Sequence, residues 1–122
     1  MSRVLIADDE DSMRLLVARA IAMDGHEIVT AQDGAEALDI LTREDGAFDL
    51  LLTDIQMPVM DGIALALSAA RDFPDLTVLL MTGFADQRER AFFKSRLASP
   101  PAEGRNIDIR FFNRRDIANG SA

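Results

Sequence analysis

The chain has 122 residues, 48% of them apolar, with 13 basic side chains against 21 acidic ones. That is the size of one ordinary domain with one core, and far too apolar for a disordered tail. A net charge of −8 repels nucleic acid phosphate, so direct DNA or RNA binding is not expected. No apolar run approaches the roughly 18–20 residues of a membrane span, and "MSRVLIADDE" turns acidic too early for a signal peptide. With no cysteine for a disulfide or a thiolate metal site, a cytoplasmic setting is the expectation.

The first element, "RVLIAD" (Arg3–Asp8), is a short apolar run of strand length that ends in charge. A helix is expected from Asp11 or Ser12, with Ser12 a plausible N-cap and Met13, Leu16, Val17, Ala20 and Ile21 at helical spacing. Gly25 stops it, and "HEIVTA" (His26–Ala31) reads as a second strand. "DGAEALDILTRE" (Asp33–Glu44) follows as a second helix with Leu38 and Leu41 on one face. "FDLLLTD" (Phe48–Asp54) is a near-continuous apolar strand, a pattern typical of parallel sheets buried on both faces. After "MPVMDG", Gly62–Phe73 is helical in pattern and Pro74 ends it. "TVLLMTG" (Thr77–Gly83) is a fourth strand, and Ala85–Leu97 a charged helix. The loop "ASPPAEG" leads to a fifth strand, "NIDIRFF" (Asn106–Phe112), and what remains holds only a stub of a fifth helix. Five alternations of strand and helix predict an α/β fold, a doubly wound five-stranded parallel sheet. The whole of 1–122 reads as one domain, with no output domain expected.

Ligands of such sheets bind at the carboxyl ends of the strands, and the acids sit there. Asp8, Asp9 and Glu10 close strand one, Asp54 closes strand three, and Thr82-Gly83 closes strand four. Any one of these acids alone could be a cap where a strand hands over to a helix. Together they repel one another, so they must share a proton or bind a cation. Hard oxygen donors in small number suit Mg²⁺. A carboxylate beside such an ion can attack phosphorus and form an acyl phosphate. A hydroxyl at Thr82 could then donate to a phosphoryl oxygen and turn the new charge into a loop movement.

"VLIADDEDSMR", "LLLTDIQMPVMDG" and "VLLMTGFA" resemble, in order and at family spacing, the signature stretches of bacterial two-component response regulator receiver domains, the CheY-like family. The resemblance covers Arg3 to about Ala85 and implies a flavodoxin-like sheet of order 2-1-3-4-5. It implies that Asp54 is the phosphoacceptor, and that Asp9, Asp54 and, through water, Asp8 hold Mg²⁺ together with the backbone carbonyl of Gln56. Thr82 would be the switch hydroxyl. The phosphoryl donor would be a sensor histidine kinase or a phosphotransfer protein, and output would pass by contact with a downstream protein. Such a receiver assists its own phosphorylation and dephosphorylation without being a conventional enzyme. Within the family, "TDI-MP-MDGI" and "TGFA" most resemble stand-alone receivers of the CpdR type.

The last third departs from the family pattern. Read back from Asp116-Ile117, "RFFNRRDI" puts Arg110 where the family carries a lysine and Phe111 where it carries a proline. Arginine keeps the charge but replaces a compact ammonium with a planar fork. The fifth helix is short, so Phe92, Phe93, Phe111 and Phe112 near that end favour a partner or a homodimer through the fourth and fifth elements. Two alternatives stay open. One is a receiver that has lost phosphotransfer and serves as a constitutive interaction module. The other is a Mg²⁺-dependent phosphohydrolase, against which Gln56 stands where a second aspartate is needed. His26, the sole histidine, is read as a surface residue.

Overall fold

A computed structural model describes residues 2–81 in full and the backbone of 107–109. The elements in chain order are β1 (Arg3–Ala7), α1 (Asp11–Ala22), β2 (Glu27–Ala31), α2 (Gly34–Arg43), β3 (Leu50–Asp54), α3 (Gly62–Asp72), β4 (Thr77–Met81) and β5 (Ile107–Ile109). The strands pair in parallel in the order β2-β1-β3-β4-β5. This is the doubly wound topology that the alternation and the family resemblance predict. The expected charged fourth helix and shortened last helix lie outside the described residues.

Side chains alternate across a strand, and β1 divides the core accordingly. Leu5 and Ala7 pack with Leu51, Leu41, Leu65 and Ala66 beneath α2 and α3. Val4 and Ile6 pack with Val17, Leu52 and Met81 beneath α1. β3 has β1 and β4 along its edges. Its faces are covered by the two core clusters, Leu51 on the α2 and α3 side and Leu52 on the α1 side, which is why it reads as nearly unbroken apolar sequence.

Helix starts follow short polar side chains. The Asp33 carboxylate accepts from the Glu36 amide at 2.8 Å, and the Asp61 carboxylate accepts from the Ala64 amide at 2.8 Å. Helix α1 differs from the expectation built on Ser12. Its N-cap is Glu10, with no side-chain cap hydrogen bond, and Ser12 lies inside the first turn. The Asp8 carboxylate already accepts from the Glu10 amide at 3.0 Å, turning the chain into the helix early. Leu16, placed by spacing on the inner face, is exposed, because α1 buries only the narrow stripe through Met13 and Val17.

The amino ends of the strands are tied together by Arg3. Its guanidinium lies 4.3 Å from the Phe48 ring centre, 2.8 Å from a Glu27 carboxylate oxygen and 3.0 Å from the Ala47 carbonyl, and also bonds Glu44. The Glu44 hydrogen bond holds the Arg3 guanidinium still more firmly protonated than usual. Glu44 and Ala47 lie at and beyond the end of α2, so Arg3 fixes the return from α2 into β3.

The β3–α3 connection carries backbone strain. Val59 has φ +69°, a region β-branched residues rarely adopt, and the Met60 amide donates to the Pro58 carbonyl at 2.7 Å across it. Its side chain is 86% exposed, so little packing compensates. Replacing Val59 by Gly should relieve about 1–3 kcal/mol of strain against a chain-entropy cost of about 0.5–1 kcal/mol. A higher melting temperature is expected in a thermal scan of Val59→Gly, and a lower one would contradict the strained turn.

Candidate functional site

The acids of β1 and β3 meet because those strands are neighbours, with Ala7 level with Thr53. Strand order reverses here, since β1 connects outward to β2 while β3 leads on to β4. Both backbone anchors are held beyond the formal strand pairing. The Asp8 amide donates to the Ala31 carbonyl at 3.1 Å, and the Ile55 amide donates to the Met81 carbonyl at 3.0 Å. Asp8 is fully buried, Asp54 is 5% exposed, and Asp9 faces solvent. One carboxylate oxygen from each of Asp8, Asp9 and Asp54 lies within 4.8 Å of the others.

That donor set fits a small hard cation. Octahedral Mg²⁺ sets neighbouring oxygens about 3.0 Å apart and opposite ones about 4.2 Å apart. Oxygens within 4.8 Å of one another therefore need draw in by no more than about 2 Å to share one ion. The mixed burial also suits a metal that keeps several waters, since the exposed Asp9 leaves one side open to solvent. Gln56 lies two residues past Asp54 and is exposed at the same strand end. Thr82 and Arg110 lie outside the described residues.

The loop after Asp54 is shaped by close backbone contacts. The Gly62 amide donates to the Ile55 carbonyl at 2.8 Å, and a Cβ built on Gly62 would overlap the Asp54 carbonyl oxygen. The Gly34 amide donates to the Met60 carbonyl at 3.1 Å, joining the loop to the start of α2. The buried Thr53 hydroxyl donates to the Asp54 carbonyl at 2.9 Å and lies 4.0 Å from the Met57 sulfur. Asp54 is thus held on a rigid strand, while Pro58 and Val59 are exposed to solvent.

One residue near the acids had no role in the sequence reading. The Arg14 guanidinium donates to the Asp8 carbonyl at 2.9 Å and to the Asp11 carboxylate at 2.6 Å. Its available signal was position, a cation one helical turn past Asp11 in an otherwise acidic stretch. His26 sits at the opposite end of the strands, where its Nδ1 accepts from the Ser2 amide at 3.2 Å.

A nearly buried carboxylate at the switch point of a 2-1-3-4-5 sheet, with two more acids against it, is the arrangement that the receiver-domain resemblance implies. The chain belongs to the response regulator receiver domain family, whose model matches residues 4–96. It is therefore a receiver domain of the two-component response regulators. It is 44% identical over 85 residues to the response regulator receiver protein CpdR of Brucella abortus, covering 70% of this chain and 69% of that protein. It is 34% identical over 83 residues to the sensor kinase CckA of the same organism, covering 68% of this chain and 9% of the kinase. Among solved structures it resembles the response regulator protein TrrA of Thermotoga maritima, in complex with Mg²⁺ and BeF, at 28% identity and a TM-score of 0.68. That match covers 93% of this chain and 86% of TrrA. No helix among the described residues is long and apolar enough to cross a membrane.

Proposed function

We propose that this receiver accepts a phosphoryl group on Asp54 from a histidine kinase or phosphotransfer protein and signals by protein contact. The observation that carries the reading is the meeting of the nearly buried Asp54 with Asp8 and Asp9. One Asp54 carboxylate oxygen attacks phosphorus in line with the donor's phosphorus–nitrogen bond. That bond breaks as the acyl phosphate forms, and its electron pair leaves with the imidazole, which takes up a proton. Asp8, Asp9 and Asp54, with the Gln56 carbonyl, would hold Mg²⁺, which shields the anionic donor from the attacking carboxylate and neutralises charge developing on the transferred group. The rigid β3 backbone holds Asp54 in place, so phosphorylation adds charge against a loop able to respond.

Thr82 as the switch hydroxyl and Arg110 in the lysine's place belong to the same proposal, as do a cytoplasmic setting and a homodimer through the fourth and fifth elements. The TrrA complex with Mg²⁺ and BeF supports the metal assignment by likeness. The domain acts on its own phosphoryl group and is not proposed to turn over an external substrate.

Incubation with acetyl phosphate and Mg²⁺ tests the reading, followed by intact-mass measurement. The wild type is expected to gain one phosphoryl mass, and Asp54→Asn none. A wild type that takes up no phosphoryl group favours the constitutive interaction module, and uptake that survives Asp54→Asn places the acceptor elsewhere.

A further inference from the structure

Residues 8–11 are four consecutive acids, and a fifth, Asp54, lies against the first two. A cation beside such a cluster has two opposite effects on a divalent ion. Its charge repels the ion and weakens binding. Its hydrogen bonds hold the ligands where the ion needs them and strengthen binding. The two effects can be separated at Arg14.

The Arg14 side chain is only 15% exposed and its donors are directed to fixed acceptors. One arm reaches the Asp8 carbonyl, the oxygen of the peptide that leads into Asp9, and the other reaches Asp11 in the first turn of α1. The Arg14 amide also donates to the Glu10 carbonyl at 2.9 Å, so its own backbone is tied to the same turn. Asp8 is located by burial and by its pairing to Ala31. Asp9 is exposed, so packing does little to place its carboxylate, and the orientation of the Asp8–Asp9 peptide decides where it points.

We propose that Arg14 is a positioning residue for the divalent site: its guanidinium clamps the peptide that aims Asp9, and this outweighs the repulsion of its charge. The inference rests on the reading of Asp8, Asp9 and Asp54 as a divalent-cation site. It predicts a sign opposite to simple electrostatics, since removing this positive charge weakens cation binding. A tenfold or greater loss of affinity is expected for Arg14→Met, in the range typical of groups that orient metal ligands.

The test is titration of the full chain with Mn²⁺, counting free ions by electron paramagnetic resonance. The chain has no Trp or Tyr, so this readout replaces intrinsic fluorescence. Arg14→Met keeps an apolar stem while losing charge and donors. Arg14→Lys keeps the charge but cannot span two acceptors with a planar fork. Both are expected to bind Mn²⁺ more weakly than the wild type, at a temperature well below the metal-free melting point of each. A Met variant with equal or tighter affinity overturns the clamp. If the Met variant does not fold, the Lys variant carries the test, and affinity equal to the wild type overturns it. A wild type that takes up no Mn²⁺ removes the site reading and the clamp together, whereas failure of the variants alone removes only the clamp.

Discussion

Asp9→Asn is expected to raise the melting temperature in the presence of a chelator and to lower it relative to the wild type once Mg²⁺ is saturating. Without metal, the Asp9 carboxylate lies within 4.8 Å of those of Asp8 and Asp54. Like charges at that separation repel by about 1–3 kcal/mol per pair between the limits of bulk water and a half-buried setting. Asp9 is exposed, so screening keeps the net gain from neutralising it near the lower limit, about 1 kcal/mol. For a domain of this size that corresponds to about 3–5 °C. With metal the balance reverses. A ligand that binds only the folded state at a hundredfold excess over its dissociation constant adds about 2.7 kcal/mol. The variant, lacking one charged donor, loses most of that increment. Thermal scans with chelator and with Mg²⁺ should therefore cross, the variant above the wild type in one and below it in the other. Parallel shifts in both conditions would show that Asp9 takes no part in holding a cation.

Gly62→Ala should unfold a large share of the stability and displace the phosphoacceptor with it. In most helices alanine is preferred to glycine by about 1 kcal/mol, so propensity alone predicts a gain. Position decides otherwise. Gly62 begins α3 and is buried, and a Cβ there would overlap the Asp54 carbonyl oxygen and lie 2.9 Å from the Ile55 Cα. Every obstacle is backbone, so no side chain can swing aside. Either α3 or the end of β3 must shift, at a cost of about 3 kcal/mol or more for forcing extra volume into a packed site. Because the displaced atom belongs to Asp54 itself, phosphoryl uptake should fall along with stability. Denaturant midpoints at an unchanged slope, together with phosphoryl uptake, check both halves. Gly25 offers a contrast within the same chain. Its built Cβ meets nothing within 4 Å, and only its φ of +88° opposes a side chain. Equal stability of Gly62→Ala and wild type would mean that α3 does not approach β3 this closely.

Much of this architecture could be read from local pattern. The two-residue repeat of a strand and the longer repeat of a helix follow from backbone geometry, so β1 to β4 and α1 to α3 fall within a few residues of the expected spans. The caps at Asp33 and Asp61 are local as well, each carboxylate bonding an amide three residues on, although the expected spans named neither as a cap. Local pattern failed where two local bonds competed. Ser12 has the chemistry of a cap, yet the Asp8 carboxylate takes the Glu10 amide first and the helix begins ahead of it.

From the sequence alone came the acidic strand ends, the identity of Asp54 as the charge closing an apolar strand, and the family that these stretches resemble. Tertiary structure decided which acids are buried and which face water, since that depends on what packs over each strand end. It also fixed how closely Asp8 and Asp9 approach Asp54, which the sequence had only gathered at neighbouring strand ends, because the pairing of β1 with β3 brings distant segments into register. The clamp of Arg14 on the Asp8 carbonyl and the close approach of Gly62 to Asp54 belong to the same level. Both depend on where one backbone comes to rest against another, and a linear pattern of side chains does not encode that distance.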